Sequence, residues 1–272
     1  MSIDHSSNPV GIFDSGIGGL TVAKALVEQL PNENIIYFGD TAHLPYGDKS
    51  TAAIQAYAVK IAHMLLQQNC KLILIACHTA SSAAFDLVKE YIGSKAHVMN
   101  VIDPTVNHLK KSYAKKNIAL IATKATVNSN IYKKRIDELN IDIHLKSQAT
   151  PILASAIEEG FHGKKVINAI LEEYLSRDTL QNIDALILGC THYPVIKKNI
   201  AHFYNNKVDI IDPSEIVAFS VKGYLEKNNL MNKNKGQGAK HFYISDYTET
   251  FEANTRLFFD EEICLEHYPI WD

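Results

Sequence analysis

The sequence is short of several things, and each shortage excludes a class of function. It has no apolar run approaching the length of a membrane span, and its opening, MSIDHSSNPV, has no basic segment ahead of an apolar one. A membrane protein or a signal-directed secreted protein is therefore not expected. Charge of one sign is also missing: the net charge is −3 and the pI about 6.5. That leaves no electrostatic footprint for nucleic acid or an anionic lipid surface. Four cysteines, Cys70, Cys77, Cys190 and Cys264, in 272 residues are too few for a disulfide framework. They lack the C-x-x-C spacing of a redox pair, and no C-x-x-C or H-x-x-x-H pattern suggests a zinc site. No G-x-G-x-x-G accompanies the GIGG turn near the start. The chain reads as a cytoplasmic protein with free thiols.

What is present is alternation. Short β-rich runs (VGIF, IIYF, KLILIA, HVMNVI, NIALIA, IDIHLK, DALILG and VDII) are mostly followed by helix-length amphipathic stretches. In STAAIQAYAVKIAHMLLQQN, Ile54, Tyr57, Ile61 and Leu65 recur at helical spacing, with Ser50 placed as N-cap. Such a pattern predicts an α/β fold with largely parallel sheets. The chain also repeats itself weakly. NVIDPT at 100–105 returns as DIIDPS at 209–214, VGIFDSGIGG returns loosely as NIALIATKAT, and LILIACHTAS returns as ALILGCTHYP. Three pairs in the same order predict two pseudo-symmetric, open, mostly parallel-sheet domains with the active site in the cleft between them. The first is expected over 1–100, completed by 213–272, and the second over 101–212.

The third pair carries chemistry. Cys77 is followed by His78 and Thr79, and Cys190, 113 residues later, by Thr191 and His192. Both lie where a strand ends, the edge at which parallel sheets bind ligands. A thiol there lies near a helix N-terminus, which favours thiolate. A lone strand-end cysteine is more often core, and Cys70 and Cys264 fit that description. Two such corners on two similar halves suit a different task. One thiol removes a proton from a carbon while the other protonates the opposite face. Zinc binding and a facing redox pair are the weaker alternatives.

GIFDSGIGGLTV, YFGDTAHLPYGDKS, ACHTAS and GCTHYP together resemble the glutamate racemases of the cofactor-independent aspartate/glutamate racemase superfamily, over nearly the whole chain. The resemblance implies interconversion of L- and D-glutamate without pyridoxal phosphate, other cofactor or metal, supplying D-glutamate for bacterial peptidoglycan. It makes Cys77 and Cys190 the acid/base thiols, the first for the D-isomer's proton and the second for the L-isomer's. It assigns Asp14 and Ser15 to the substrate ammonium and the first thiol. Tyr46 and Gly47 hold the side-chain carboxylate through backbone N–H groups, and His192 assists the second thiol. Glu158, with Glu159 as the alternative, is the acidic partner of that histidine. His78, Thr79, Thr191, Thr123 and Thr126 are further substrate-facing positions. The family usually shows Asn where this chain has His78, and often Cys where it has Thr150. The partner implied is the small molecule glutamate, with no nucleic acid and no membrane, and a homodimer is compatible. A racemase of aspartate, or a non-catalytic ligand-binding relative, is the competing reading.

Overall fold

The computed structural model describes residues 5–271 apart from 164, 235 and 248; the first residues of the MSIDHSSNPV leader lie outside the described residues. The first half alternates strictly: β1 (Val10–Asp14), α1 (Leu20–Gln29), β2 (Ile35–Gly39), α2 (Thr51–Gln67), β3 (Leu72–Ile75), α3 (His78–Ile92) and β4 (His97–Asn100). After α4 (Ile102–Ser112) the pattern restarts with β5 (Asn117–Ala122), α5 (Lys124–Asn128), α6 (Ile131–Glu138) and β6 (His144–Ala149). It continues through α7 (Leu153–Glu158), α8 (Lys165–Leu175), β7 (Ala185–Gly189), α9 (Lys197–Phe203) and β8 (Asp209–Ile211). Then come α10 (Pro213–Lys227), β9 (Lys240–Ile244), α11 (Glu249–Phe259) and β10 (Glu266–His267).

Two sheets result, with strand orders β10-β9-β2-β1-β3-β4 and β6-β5-β7-β8, and every described pairing is parallel. The four-strand order β2-β1-β3-β4 is repeated by β6-β5-β7-β8, so β1 corresponds to β5 and β3 to β7. In each sheet the order reverses beside the first strand, and the crevice at that reversal is where ligands bind. β9 joins the edge of β2, with Ile35 opposite Lys240, and α10 packs between α1 and α4.

Why these runs become fully buried strands follows from period two. Val10 and Ile12 of β1 and Leu72 and Leu74 of β3 enter a core that continues into the second half. Phe13, Ile73 and Ile75 point the other way, into a second core under α2 and α3. Ser50 caps α2 by accepting the N–H of Ala53 at 3.3 Å.

The structure departs from the sequence expectation in two places. The strand expected over IDIHLK begins only at His144, because pairing with β5 starts at Asn117 opposite His144. Asn140 is left-handed at φ 50°, which turns the chain first, and Ile141 and Ile143 pack against the core instead. At β4 the strand stops at Asn100, whose side-chain Oδ1 accepts the N–H groups of Ile102 and Asp103 and starts α4 there.

Candidate active site

The two cysteine corners arise from local structure. β3 delivers Cys77 to the N-cap position of α3, where its Sγ accepts the Ala80 N–H at 3.4 Å. The thiol donates to Ser15 Oγ at 3.6 Å. Cys77 is buried, and burial, reinforced by the nearby Asp14 carboxyl, pushes its thiol up to about 12. β7 delivers Cys190 to the matching corner of the second sheet. Its Sγ lies 3.5 Å from His192 Nδ1, and His192 Nε2 lies 2.7 Å from Glu158 Oε1. Burial alone would lower the His192 pKa, but the Glu158 carboxylate and the Cys190 sulfur outweigh it and hold the imidazole well above its usual value. The two sulfurs therefore sit in opposite surroundings: a carboxyl beside Cys77, an imidazolium beside Cys190.

Asp14 ends β1 with no exposed surface. Its Oδ2 accepts the N–H groups of Gly16 at 3.3 Å and Gly19 at 3.0 Å, and its Oδ1 accepts the Thr191 hydroxyl at 3.3 Å. Thr191 thus ties the second half to the first, and Thr21 Oγ1 repeats the tie by donating to the Thr191 carbonyl at 3.0 Å. Burial raises the Asp14 carboxyl from its ordinary 3.8 to about 6, against the lowering pull of His192.

Because the folded-state pKa is raised, Asp14 costs stability above about pH 6, and the cost disappears as pH falls below 3.8. Asp14→Asn keeps the shape and an acceptor for the glycine amides. It is expected to raise unfolding free energy at pH 7.5 by on the order of 2–3 kcal/mol, with the gain vanishing near pH 3.5. Denaturant unfolding at both pH values measures this, and an equal effect at both would show that the buried charge is not its source.

Opposite the first corner, the Thr79 hydroxyl bonds Thr123 at 2.8 Å and Thr126 at 3.3 Å, and those two bond each other at 3.1 Å. These hydroxyls bridge α3 to the turn after β5. A Cβ on Gly47 would lie 3.1 Å from Thr123 Cβ, so the Tyr46–Asp48 turn also faces that segment closely. The Tyr46 hydroxyl is committed elsewhere, donating to Asp40 Oδ2 at 2.6 Å. Its contribution to a ligand is therefore limited to the backbone.

His78 stands apart from the sulfurs' partners. It is buried, its Nδ1 lies 2.9 Å from the Tyr132 hydroxyl of α6, and burial lowers its pKa to about 3. It is a neutral tie between α3 and α6. An Asn amide ends at the same place along the side chain as Nδ1 and can keep the Tyr132 bond, but it lacks the outer ring atoms that stack on Tyr132. His78→Asn is thus expected to lose about 1 kcal/mol of packing in thermal or denaturant unfolding while racemisation persists. A collapse of the rate without a loss of stability would place His78 among the groups that handle substrate.

Of the two acidic alternatives, Glu158 meets His192, whereas Glu159 is exposed. Three supporting residues escaped the sequence reading. Gly18 packs so tightly on His192 that a Cβ would lie 2.4 Å from Cε1. Phe258 meets the His192 ring edge-on at 5.4 Å between centroids. Asn254 Nδ2 donates to the Glu158 carbonyl at 2.9 Å. Gly18 lies in the GIGG motif and carried that much signal; the α11 residues carried none. Among the described residues no three His, Cys, Asp or Glu side chains are grouped to hold a metal ion, and no helix is long and apolar enough to cross a membrane.

Known proteins resemble this chain over most of its length. The family model for Asp/Glu/Hydantoin racemase matches residues 11–220. A glutamate racemase of Chlorobaculum parvum is 39% identical over 258 residues, covering 95% of this chain and 94% of that protein. The crystal structure of glutamate racemase from Francisella tularensis in complex with D-glutamate is 41% identical, covers 98% of this chain and 99% of that one, and superposes with a TM-score of 0.89. Glutamate racemase isoform RacE1 from Bacillus anthracis is 30% identical, covers 97% and 99%, and gives a TM-score of 0.91.

Proposed function

The chain belongs to the Asp/Glu/Hydantoin racemase family, and from that premise we propose that it interconverts L- and D-glutamate with Cys77 and Cys190 as opposed acid and base. The observation that carries the reading is the pair of equivalent strand-end cysteines, each with its own polar company: Ser15 bonded to one with the Asp14 carboxyl nearby, and His192 against the other, itself bonded to Glu158.

Removing an α-proton from a zwitterion builds charge on the α-carboxylate, so donors must be aimed there before the reaction. Backbone N–H groups at the starts of the segments after β3 and β7, with Thr79 and Thr191, are suited to that. Asp14 takes the substrate ammonium, whose positive charge offsets the burial that holds the Cys77 proton. Tyr46 and Gly47 hold the side-chain carboxylate through their N–H groups. In the L-to-D direction Cys190, beside the His192 imidazolium, removes and keeps the proton, while Cys77, protonated at rest, delivers one to the other face. The reverse reaction exchanges the roles. The product is D-glutamate for peptidoglycan, made in the cytoplasm, where thiols stay reduced.

Incubating the purified protein with L-glutamate, without added cofactor, is expected to abolish optical rotation as the racemate forms. Loss of rotation with aspartate and none with glutamate would overturn the substrate assignment, and no loss with either would overturn the enzymatic reading.

A further inference from the structure

Asp40, directly after β2, is a buried carboxyl that no step above uses. It has no Lys or Arg partner among the described residues, yet it gathers donors from its own loop and from two distant parts of the chain. Oδ2 accepts the Tyr46 hydroxyl at 2.6 Å. Oδ1 accepts the Ser245 hydroxyl at 2.9 Å and the Trp271 indole N–H at 2.8 Å. His43 Nδ1 lies 3.1 Å from both oxygens. The Asp40 backbone N–H is held by the Asp14 carbonyl at 3.0 Å, so the hub is fastened to the strand end that carries the catalytic carboxyl.

An aromatic cluster closes over it. His43 stacks on Tyr57 at 4.0 Å between centroids, and the Trp271 ring meets His43 edge-on at 4.5 Å and Tyr57 at 5.4 Å. Tyr57 also touches Tyr46 at 5.8 Å, and the Lys60 ammonium lies 4.7 Å above the Trp271 ring. The 3-10 turn Tyr46–Asp48 therefore hangs from one phenol, and the anchor of that phenol is shared with Trp271, 225 positions away in sequence.

We infer that Asp40 and Trp271 are positioning residues that set the Tyr46–Gly47 amides at the height where they meet the substrate side-chain carboxylate, so that the segment after β9 tunes substrate affinity from outside the cleft. This rests on the reading that the Tyr46–Gly47 turn holds that carboxylate. A misplaced pair of amides weakens binding in the ground and transition states alike, because the side-chain carboxylate does not react. Its signature is a raised KM at constant kcat.

Trp271→Phe keeps a ring and removes one N–H. Asp40→Asn forces an amide NH2 towards a hydroxyl or indole donor and so reverses or breaks a hub bond. Each is expected to raise KM for L- and D-glutamate by about five- to twentyfold with kcat within about twofold. A purely structural role would lower the melting temperature and leave KM at the wild-type value, which would overturn the inference. Gly47→Ala, which crowds Thr123, separates the two claims. If it raises KM while the hub variants do not, the hub inference alone fails. If none of the three changes KM, the assignment of the turn to the carboxylate fails with it.

Discussion

Cys77→Ser and Cys190→Ser are each expected to lower racemisation by about 10²–10⁴-fold, the largest effects of any single substitution in this chain. A serine hydroxyl keeps the hydrogen-bonding shape of the corner and is a far poorer base than a thiol. The fold should be untouched, since both corners are bounded by buried strands and a one-atom change leaves no sizeable cavity. The two variants should also differ in a way that loss of structure cannot imitate. In deuterated water, wild-type product acquires solvent deuterium from the thiol opposite the one that took the proton, while unconverted substrate stays largely unlabelled. Cys77→Ser should lose proton abstraction from D-glutamate, and Cys190→Ser abstraction from L-glutamate. Mass spectrometry of each recovered isomer reads this directly. Retention of most of the rate in both variants, or equal labelling of both isomers by one remaining base, would end the two-thiol account.

Gly18→Ala is expected to lower kcat by about 10²-fold, because misplacing a catalytic group by about an ångström has that order of cost. The added Cβ would lie 2.4 Å from His192 Cε1, 2.5 Å from His192 Nδ1 and 2.8 Å from Thr191 Oγ1. Contacts that short do not persist, so the imidazole must move. It is held between Cys190 at 3.5 Å and Glu158 at 2.7 Å, with Phe258 against its ring. Any displacement stretches one side of that relay, and moving Thr191 also disturbs its bond to Asp14. Gly223→Ala is the matched comparison: it lies inside α10 with nothing within 4 Å of the added Cβ. That substitution should leave kcat alone and raise stability by about 0.5–1 kcal/mol through helix propensity. Equal kcat in the two variants would mean that His192 does not need its present position.

Much of this molecule is written in short-range pattern. Period two in VGIF and LILI places residues on both faces of a strand, and that alternation is local, so β1 and β3 are legible from neighbouring residues alone. The same holds for Ser50, whose side chain needs only the amide three residues on. Cys77 and Cys190 are legible because in each case a short apolar, β-rich run breaks at the cysteine into Thr and His.

Tertiary structure alone decided what depends on chain segments meeting. The choice of Glu158 over its neighbour turns on which side of a short helix faces His192, 34 residues on. The Gly18–His192 contact joins the two halves, and composition carries no trace of a missing Cβ's neighbour. His78 stands beside the first thiol in ACHTAS, but its bond to Tyr132 is invisible there, because Tyr132 of α6 reaches the start of α3 only in the folded chain. β6 starts three residues late because its partner β5, not its own apolar run, sets where pairing can begin. Asp40 is the plainest case: it stands in a legible motif, but Ser245 and Trp271 reach it only after β9 has joined β2. Sequence by itself determined the strand-end thiols and the alternating α/β plan, since both rest on periodicity and neighbouring amides. The polar company of each thiol and the hub beneath the Tyr46 turn waited on closure of the chain, since a hydrogen bond between distant residues exists only once both are buried at one place.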